Sequence, residues 1–384
     1  MKNFETKNFE VNGVVYSPRN VLVIAELGTA HGGDPVKARE LIAAAAEAGA
    51  NCIKFQMVYA GEILHPRTGE VPLPGGRISL YERFRQLERG PDFYAEMKAQ
   101  TEARGILFLC TPFGPRSLRE LSRLQPSLLK IASPELNYTR LLKKTAACRI
   151  PLLLSSGVSR LSDIEDALSI VYDEWALPEE QADPSRPSVC LMHCITSYPA
   201  PETEYNLMVL QSLSAVFGVS TGLSDHSLDP ELVPGLAVAM GAAAVEKHFC
   251  LSRSDPGLDD PIALPPQDFK RMTAAIRRAS AADTETCIEE LARERGSALV
   301  EAVLGNGVKR LAPSEKANYE RTNRSIHALR DIARGETITA DAIGVLRTEK
   351  VLRPGLPPVW ENRITGRTAR NFIPAGEGIR FEDI

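Results

Sequence analysis

The chain has 384 residues, with 43% hydrophobic and 24% charged side chains and a formal charge of −4. These are the proportions of a globular protein that builds a large core, with two domains as the expectation from length. The mild acidity argues against a general nucleic-acid binder, and no apolar run reaches the roughly 18 residues needed to span a bilayer.

Seven cysteines (Cys52, Cys110, Cys148, Cys190, Cys194, Cys250 and Cys287) form no CxxC pair, and several lie in apolar runs, which reads as buried, reduced thiols. Cys190 and Cys194 stand four apart in one strand-like run without a second pair, a poor zinc pattern. The opening Met-Lys-Asn-Phe-Glu-Thr-Lys has no apolar stretch of the signal-peptide kind, so a cytoplasmic location is expected.

In chain order, short apolar runs alternate with helical patterns. Strands are predicted at Val21–Gly28, Asn51–Gln56, Gly105–Phe113, Leu128–Ser133, Pro151–Gly157, Ser188–Ile195, Val216–Leu223 and Ala243–Phe249. Their near-continuous apolarity is that of parallel strands buried on both faces. The first crossover is the clearest helix: Asp34 caps it, Pro35 suits its first turn, Ala38, Leu41, Ile42 and Ala45 recur at helical spacing, and Gly49 ends it. Further helices are predicted at Asp92–Arg104, Arg116–Leu124, Tyr138–Ala147, Leu161–Tyr172, Pro230–Met240 and Pro266–Ser280. This alternation gives an α/β chain, a (β/α)8 TIM barrel over residues 1–283. Glu285–Arg295 then reads as a charged helix and Gly305–Tyr319 as a polar connector, which makes 284–322 a linker. From 323 to 384, short alternating runs such as Ser325-Ile-His-Ala-Leu and Ile343-Gly-Val-Leu form a small β-rich module. Its thin core is expected to lean on a partner surface.

Each predicted strand carries polar groups at its C-terminal end, the face on which barrel enzymes build their sites. In order these are Glu26, Lys54 with Gln56, Thr111, Lys130 with Ser133, Ser155, His193 with Thr196 and Tyr198, Asp225-His226, and Glu246-Lys247-His248. A lysine inside an apolar strand is costly unless paired or used. Lys54 and Lys130, with the hydroxyls of Thr111, Ser133 and Ser155, make an anion clamp; buried lysine–carboxylate bridges are the competing reading. His226 and His248 suit a divalent metal through neutral imidazoles, with Glu26 or water completing the shell and Asp225 as an orienting group. His31 and His193 read equally well as structural histidines. The run Asp255-Pro-Gly-Leu-Asp259-Asp260 is either a loop acid reaching the barrel face or plain turn chemistry.

Taken together, Ile-Ala-Glu26-Leu-Gly, Ile-Lys54-Phe-Gln, Thr111-Pro-Phe, Lys130-Ile-Ala-Ser133, Leu-Ser155-Ser-Gly, His193-Cys-Ile-Thr-Ser-Tyr198-Pro, Gly-Leu-Ser224-Asp-His226-Ser, Glu246-Lys-His248-Phe and Pro-Gly-Leu-Asp259 resemble the sialic acid synthase family. This is the N-acetylneuraminate synthase family of phosphoenolpyruvate-dependent nonulosonic acid synthases. The tail, Asn323-Arg-Ser-Ile followed by Ala-Arg-Gly-Glu, resembles the family's antifreeze-like (SAF) domain. The resemblance implies condensation of phosphoenolpyruvate with an N-acyl hexosamine, N-acetylmannosamine-like, by catalytic Glu26 and Glu246. Pseudaminate- or legionaminate-type acceptors, or a non-catalytic carbohydrate-binding role, are the alternatives. A 3-deoxy sugar-phosphate synthase would want a further basic pocket for the acceptor phosphate. By resemblance, Lys54, Thr111, Lys130, Ser133, Ser155, Thr196 and Ser224 hold phosphoenolpyruvate, and Gln56, Tyr198, Asp259 and Arg324 contact the sugar. His226 and His248 hold the metal, Mn2+ first, with Mg2+ or Co2+ as alternatives. The family's homodimer exchanges C-terminal domains, so that Arg324 serves the other subunit. The chain departs from the family at Ala30, Thr196 and Asn323, which bears on the identity of the sugar, as does the 72–90 loop.

Overall fold

The structure is a computed structural model that describes residues 7–73, 76–176, 187–349 and 351–384. Eight parallel strands close into a barrel in sequential order, the last pairing with the first. They are β1 (Leu22–Gly28), β2 (Cys52–Met57), β3 (Leu107–Pro112), β4 (Leu129–Ile131), β5 (Leu152–Ser155), β6 (Val189–Cys194), β7 (Ser220–Asp225) and β8 (Ala244–His248). The outer helices that follow them are α1 (Pro35–Glu47), α2 (Pro91–Glu102), α3 (Pro115–Ser122), α4 (Thr139–Ala146), α5 (Leu161–Trp175), α6 (Val209–Phe217), α7 (Leu232–Ala239) and α8 (Pro266–Ala281). The Asp34 side chain caps α1 by accepting from the Val36 N–H, and its buried stripe is Ala38, Leu41, Ile42 and Ala45.

The period-two pleat of a strand explains why a charged site forms inside an apolar barrel. Leu22 and Ile24, Cys52, Leu109, Leu128, Leu153, Cys190 and Met192, and Ala244 fill the lower barrel as one buried cluster with Phe9, Val11 and Tyr16 of an N-terminal hairpin. On these seven strands the next side chain on the same face comes two residues further along. Those residues are Glu26, Lys54, Thr111, Lys130, Ser155, Cys194 and Glu246. One layer of apolar residues is thus followed by one polar layer at the C-terminal mouth.

The structure differs from the sequence reading at β7. Its strand begins at Ser220, not Val216, because α6 runs to Phe217 and stops at Gly218, whose φ of 65° is a left-handed C-cap. Helix α6 itself was not foreseen for the same reason. In the 72–90 loop a helix spans Leu80–Leu87, while residues 74–75 lie outside those described.

Past the barrel, α9 (Thr284–Arg295) and α10 (Ser297–Leu304) bury Cys287, Leu291, Val300 and Val303 in the main core. The C-terminal module pairs β9 (Arg324–Ala328) with β10 (Ile343–Arg347) in antiparallel fashion. Its buried Ile326, Ile332, Ile338, Val345, Ile373 and Ile379 merge with the barrel's core. Among the described residues no helix is long and apolar enough to cross a membrane.

Candidate active site

The polar layer lines a cavity of about 220 Å³ at the C-terminal mouth. Four buried charges form a chain across it. Lys54 Nζ lies 2.6 Å from Glu26 Oε2 and 3.4 Å from Glu246 Oε1, and Lys130 Nζ lies 2.6 Å from Glu246 Oε1. Strand register sets these partners: Glu26 stands beside Lys54 on β2, and Ser224 beside Glu246 on β8. Gln56 Nε2 donates to Glu26 Oε1 at 2.6 Å, and the Ser224 hydroxyl donates to Glu246 Oε1 at 3.1 Å. The anion-clamp and lysine–carboxylate readings therefore share both lysines, and the bridges sit in the cavity wall beside the hydroxyls.

The two carboxyls are pushed apart. Burial raises Glu26 above the usual carboxylate range despite Lys54. Burial acts on Glu246 too, but Lys130 and Lys54 more than offset it and hold that group low.

Thr111 Oγ1, Ser155 Oγ, Thr196 Oγ1 and Glu246 Oε2 are buried and have no hydrogen-bond partner, and all four residues line the cavity. Unpaired buried polar atoms cost about 1–3 kcal/mol each, so four around one hollow point to a ligand that satisfies them. The Ser133 hydroxyl accepts from the Gly157 N–H at 3.0 Å.

His226 and His248 face each other with ring centroids 5.5 Å apart, and Tyr198 lies over His226 at 4.1 Å. His226 Nδ1 meets the Ile195 carbonyl at 2.7 Å, which fixes the tautomer and leaves Nε2 with a free lone pair. Burial keeps both imidazoles neutral, and Asp259 Oδ2 stands 3.7 Å from His248 Nδ1. Asp259 is pushed up to about 6 by burial and by Glu26.

Asp225 does not touch the His226 ring. It accepts from Tyr205 Oη at 2.6 Å and from Lys247 Nζ at 2.6 Å, and Tyr205 Oη in turn accepts from the His226 backbone N–H. His193 and His31 stay outside the cavity wall: His193 Nε2 meets the Tyr205 carbonyl, and His31 packs against Phe55 and Phe93.

Among the described residues, no three His, Cys, Asp or Glu side chains are gathered to hold a metal by themselves.

Arg324 is not in the cavity wall. Its buried guanidinium bonds Glu135 Oε1 at 3.0 Å and the Phe113 carbonyl at 2.7 Å, and it packs over Tyr138. Arg347, at the end of β10, lines the mouth instead. Its Nε and Nη2 are held by Glu135 Oε1 at 3.0 and 2.7 Å. Sequence reasoning ended that run at Leu346, one residue short. The rule already applied to the barrel strands, that a polar residue closing an apolar strand is a site candidate, would have found it. Cys194, Thr29 and Phe84 also line the wall and were not foreseen there.

The NeuB family model matches residues 41–287 and the SAF domain model matches 323–384. Over 375 residues the chain is 32% identical to the spore coat polysaccharide biosynthesis protein SpsE of Bacillus subtilis, covering 97% of this chain and 96% of that one. The crystal structure of SpsE matches with a TM-score of 0.80 at 31% identity, over 98% of this chain and 99% of the other. An N,N'-diacetyllegionaminic acid synthase of Campylobacter jejuni is 30% identical over 347 residues, 87% of this chain and 95% of its own. A pseudaminic acid synthase of the same species is 29% identical over 372 residues, 95% and 97% of the two chains.

Proposed function

The chain belongs to the NeuB family and is an enzyme of it, and on that premise we propose that it condenses phosphoenolpyruvate with an N-acyl hexosamine to give a nonulosonic acid and phosphate. The observation that carries this reading is the pairing of Lys54 and Lys130 with the unpartnered hydroxyls of Thr111, Ser155 and Thr196 around one cavity. Two ammonium groups with several free donors suit a phosphate and a carboxylate on one small molecule. A merely carbohydrate-binding role leaves both lysines without a ligand.

The cavity wall is charge-balanced: Glu26, Glu246 and Asp259 against Lys54, Lys130 and Arg347. A polyanionic substrate entering a neutral wall is favoured by an added cation. The donor set fits one, because two neutral imidazoles suit a Mn2+-like ion that would take its remaining donors from water and substrate oxygens. His226 and His248 would hold it. When bound there, such an ion supplies Lewis-acid polarisation of the sugar's aldehyde oxygen.

The residues of the chain account for the rest. Lys54 and Lys130 orient phosphoenolpyruvate so that its alkene carbon meets the aldehyde carbon and a carbon–carbon bond forms. The Glu26 carboxyl, raised by burial, gives its proton to the aldehyde oxygen, and C2 becomes cationic. Glu26 and Glu246 face that charge, and Glu26 receives the proton of the water that adds at C2. The tetrahedral product then expels phosphate, which carries off the C2 hydroxyl proton, to leave the ketone. Tyr198, Asp259, Gln56 and Arg347 surround the acceptor end, with Glu135 and Arg324 holding Arg347 in place. Exchange of C-terminal domains between two copies, expected from the resemblance, leaves this arrangement intact, because either copy presents the same Arg347.

The test is phosphate release from phosphoenolpyruvate over a panel of N-acyl hexosamines, including pseudaminate- and legionaminate-type precursors, with Mn2+, Mg2+ or Co2+ added. One acceptor is expected to drive release and to yield a product with the mass of a nonulosonic acid. Absence of release across the whole panel and all three metals would overturn the reading.

A further inference from the structure

The segment between the barrel and the C-terminal domain has the composition of a polar spacer, yet it carries Glu315, a carboxylate only 1% exposed. Glu315 Oε1 accepts from the Val158 N–H at 2.6 Å and from the Thr196 N–H at 3.2 Å. Its Oε2 accepts from the Ala312 N–H at 3.0 Å. One oxygen therefore joins the loop after β5 to the loop after β6. Neighbours on the same segment tighten that junction. Asn318 Nδ2 donates to the Thr196 carbonyl at 3.1 Å, Asn323 Nδ2 to the Val158 carbonyl at 3.0 Å, and Lys309 Nζ to the Ser156 carbonyl at 2.9 Å.

Both backbone groups of Val158 and both of Thr196 are thus tied to this segment or to Asn323, which directly follows it. Val158 has φ of 42°, a left-handed conformation that a β-branched residue holds only when its surroundings over-determine it. Gly157, beside it, has no room for a side chain: a Cβ there would lie 2.3 Å from Thr196 Oγ1 and 2.9 Å from Ser133 Oγ. The tight fit passes any displacement of Val158 directly to those hydroxyls. Glu315 itself is not in the cavity wall, so it touches no ligand.

We infer that Glu315 is a positioning residue of the anion subsite: by clamping the loops after β5 and β6 it sets where the Ser133, Ser155 and Thr196 oxygens meet the phosphate or carboxylate of phosphoenolpyruvate. This rests on the function proposed above. It also makes the connecting segment part of the subsite's framework, so that the C-terminal domain and the anion site share one mechanical element.

The experiment compares wild type, Glu315→Gln, Thr196→Val, the double variant and Asn206→Ala by steady-state kinetics and by direct titration with phosphoenolpyruvate. Glu315→Gln keeps the shape and loses at least one charge-assisted bond, a change expected to raise KM for phosphoenolpyruvate about tenfold. The acceptor's KM is expected to stay within about twofold, since the sugar end is held by other elements. Thr196→Val removes only the hydroxyl and should give the same selective rise. If Glu315 acts through Thr196, the double variant falls short of the product of the two single effects.

Asn206, in the same loop after β6 but outside the cavity wall, accepts at Oδ1 from the Asn306 and Gly307 N–H groups and so ties the segment at a point other than Val158 and Thr196. Asn206→Ala therefore reports mere loosening: lower stability without a selective change in phosphoenolpyruvate affinity. Equal loss for both substrates in Glu315→Gln, full additivity with Thr196→Val, or the same selective rise in Asn206→Ala would overturn the inference. If Glu315→Gln does not fold, a Thr196→Val enzyme with unchanged phosphoenolpyruvate KM overturns it as well. Wild-type protein that neither binds nor consumes phosphoenolpyruvate removes the proposed function, and this inference with it.

Discussion

Replacing Lys247 by methionine tests how far a buried ion pair on the outer face of the barrel, behind the polar layer, holds the fold together. The Lys247 side chain is fully enclosed, with Nζ 2.6 Å from Asp225 Oδ2, 2.5 Å from the Ser227 carbonyl and 3.1 Å from Ser227 Oγ. Methionine fills nearly the same volume, so the packing loss is small and the main effect is electrostatic. Asp225 keeps its bonds from Tyr205 Oη and from the Ser227 N–H and hydroxyl, but it becomes an enclosed anion without a counter-charge. Breaking one side of such a pair costs about 3–5 kcal/mol. Urea unfolding followed by far-UV circular dichroism should show that loss as a lower midpoint at constant slope. The double variant Asp225→Asn/Lys247→Met removes both charges and should recover more than half of it. A single-variant loss under about 1 kcal/mol, or simple additivity with Asp225→Asn, would refute the reasoning.

Glu26→Ala is expected to lower kcat by at least about 100-fold while the circular dichroism stays that of wild type. The fold survives because Lys54 keeps Glu246 at 3.4 Å; near-normal turnover would take Glu26 out of the chemistry. A chelator should abolish activity and Mn2+ should restore it, so full activity in chelator would end the two-histidine metal reading. His327 is lowered to about 4 by burial, with Nδ1 on the Gly376 carbonyl and Nε2 beside the Ser325 hydroxyl. Its unfolded form titrates near 6.5, so the unfolded chain binds the proton first, and stability falls as pH drops from about 6.5 to about 4. The loss amounts to about 3 kcal/mol, and His327→Gln should flatten the stability–pH slope in that window by one proton's worth. An unchanged slope refutes the assignment.

Much of the barrel was legible because strand burial writes itself as continuous apolar runs, and because the polar residue closing each run breaks that rule visibly. Lys54 and Lys130 stand out for this reason. The β7 start was misread because Val216 and Phe217 suit a strand as well as a helix, and only the left-handed Gly218 separates them. Glu315 and Asn318 were hidden for a different reason. Their partners are backbone groups far away in the chain, at Val158 and Thr196, and such bonds leave no trace in composition. Arg324 was placed by resemblance at the other subunit's sugar; within the chain it bonds Glu135, and Arg347, held by the same Glu135, is the arginine that lines the cavity.

The hairpin-sealed apolar plug beneath the four clustered charges has an electrical effect. With hydrocarbon on one side and protein all round, the fields between Lys54, Lys130, Glu26 and Glu246 are only weakly screened. The four groups are therefore coupled: altering any one shifts the potential felt by the other three, and an arriving anion acts on the whole set at once.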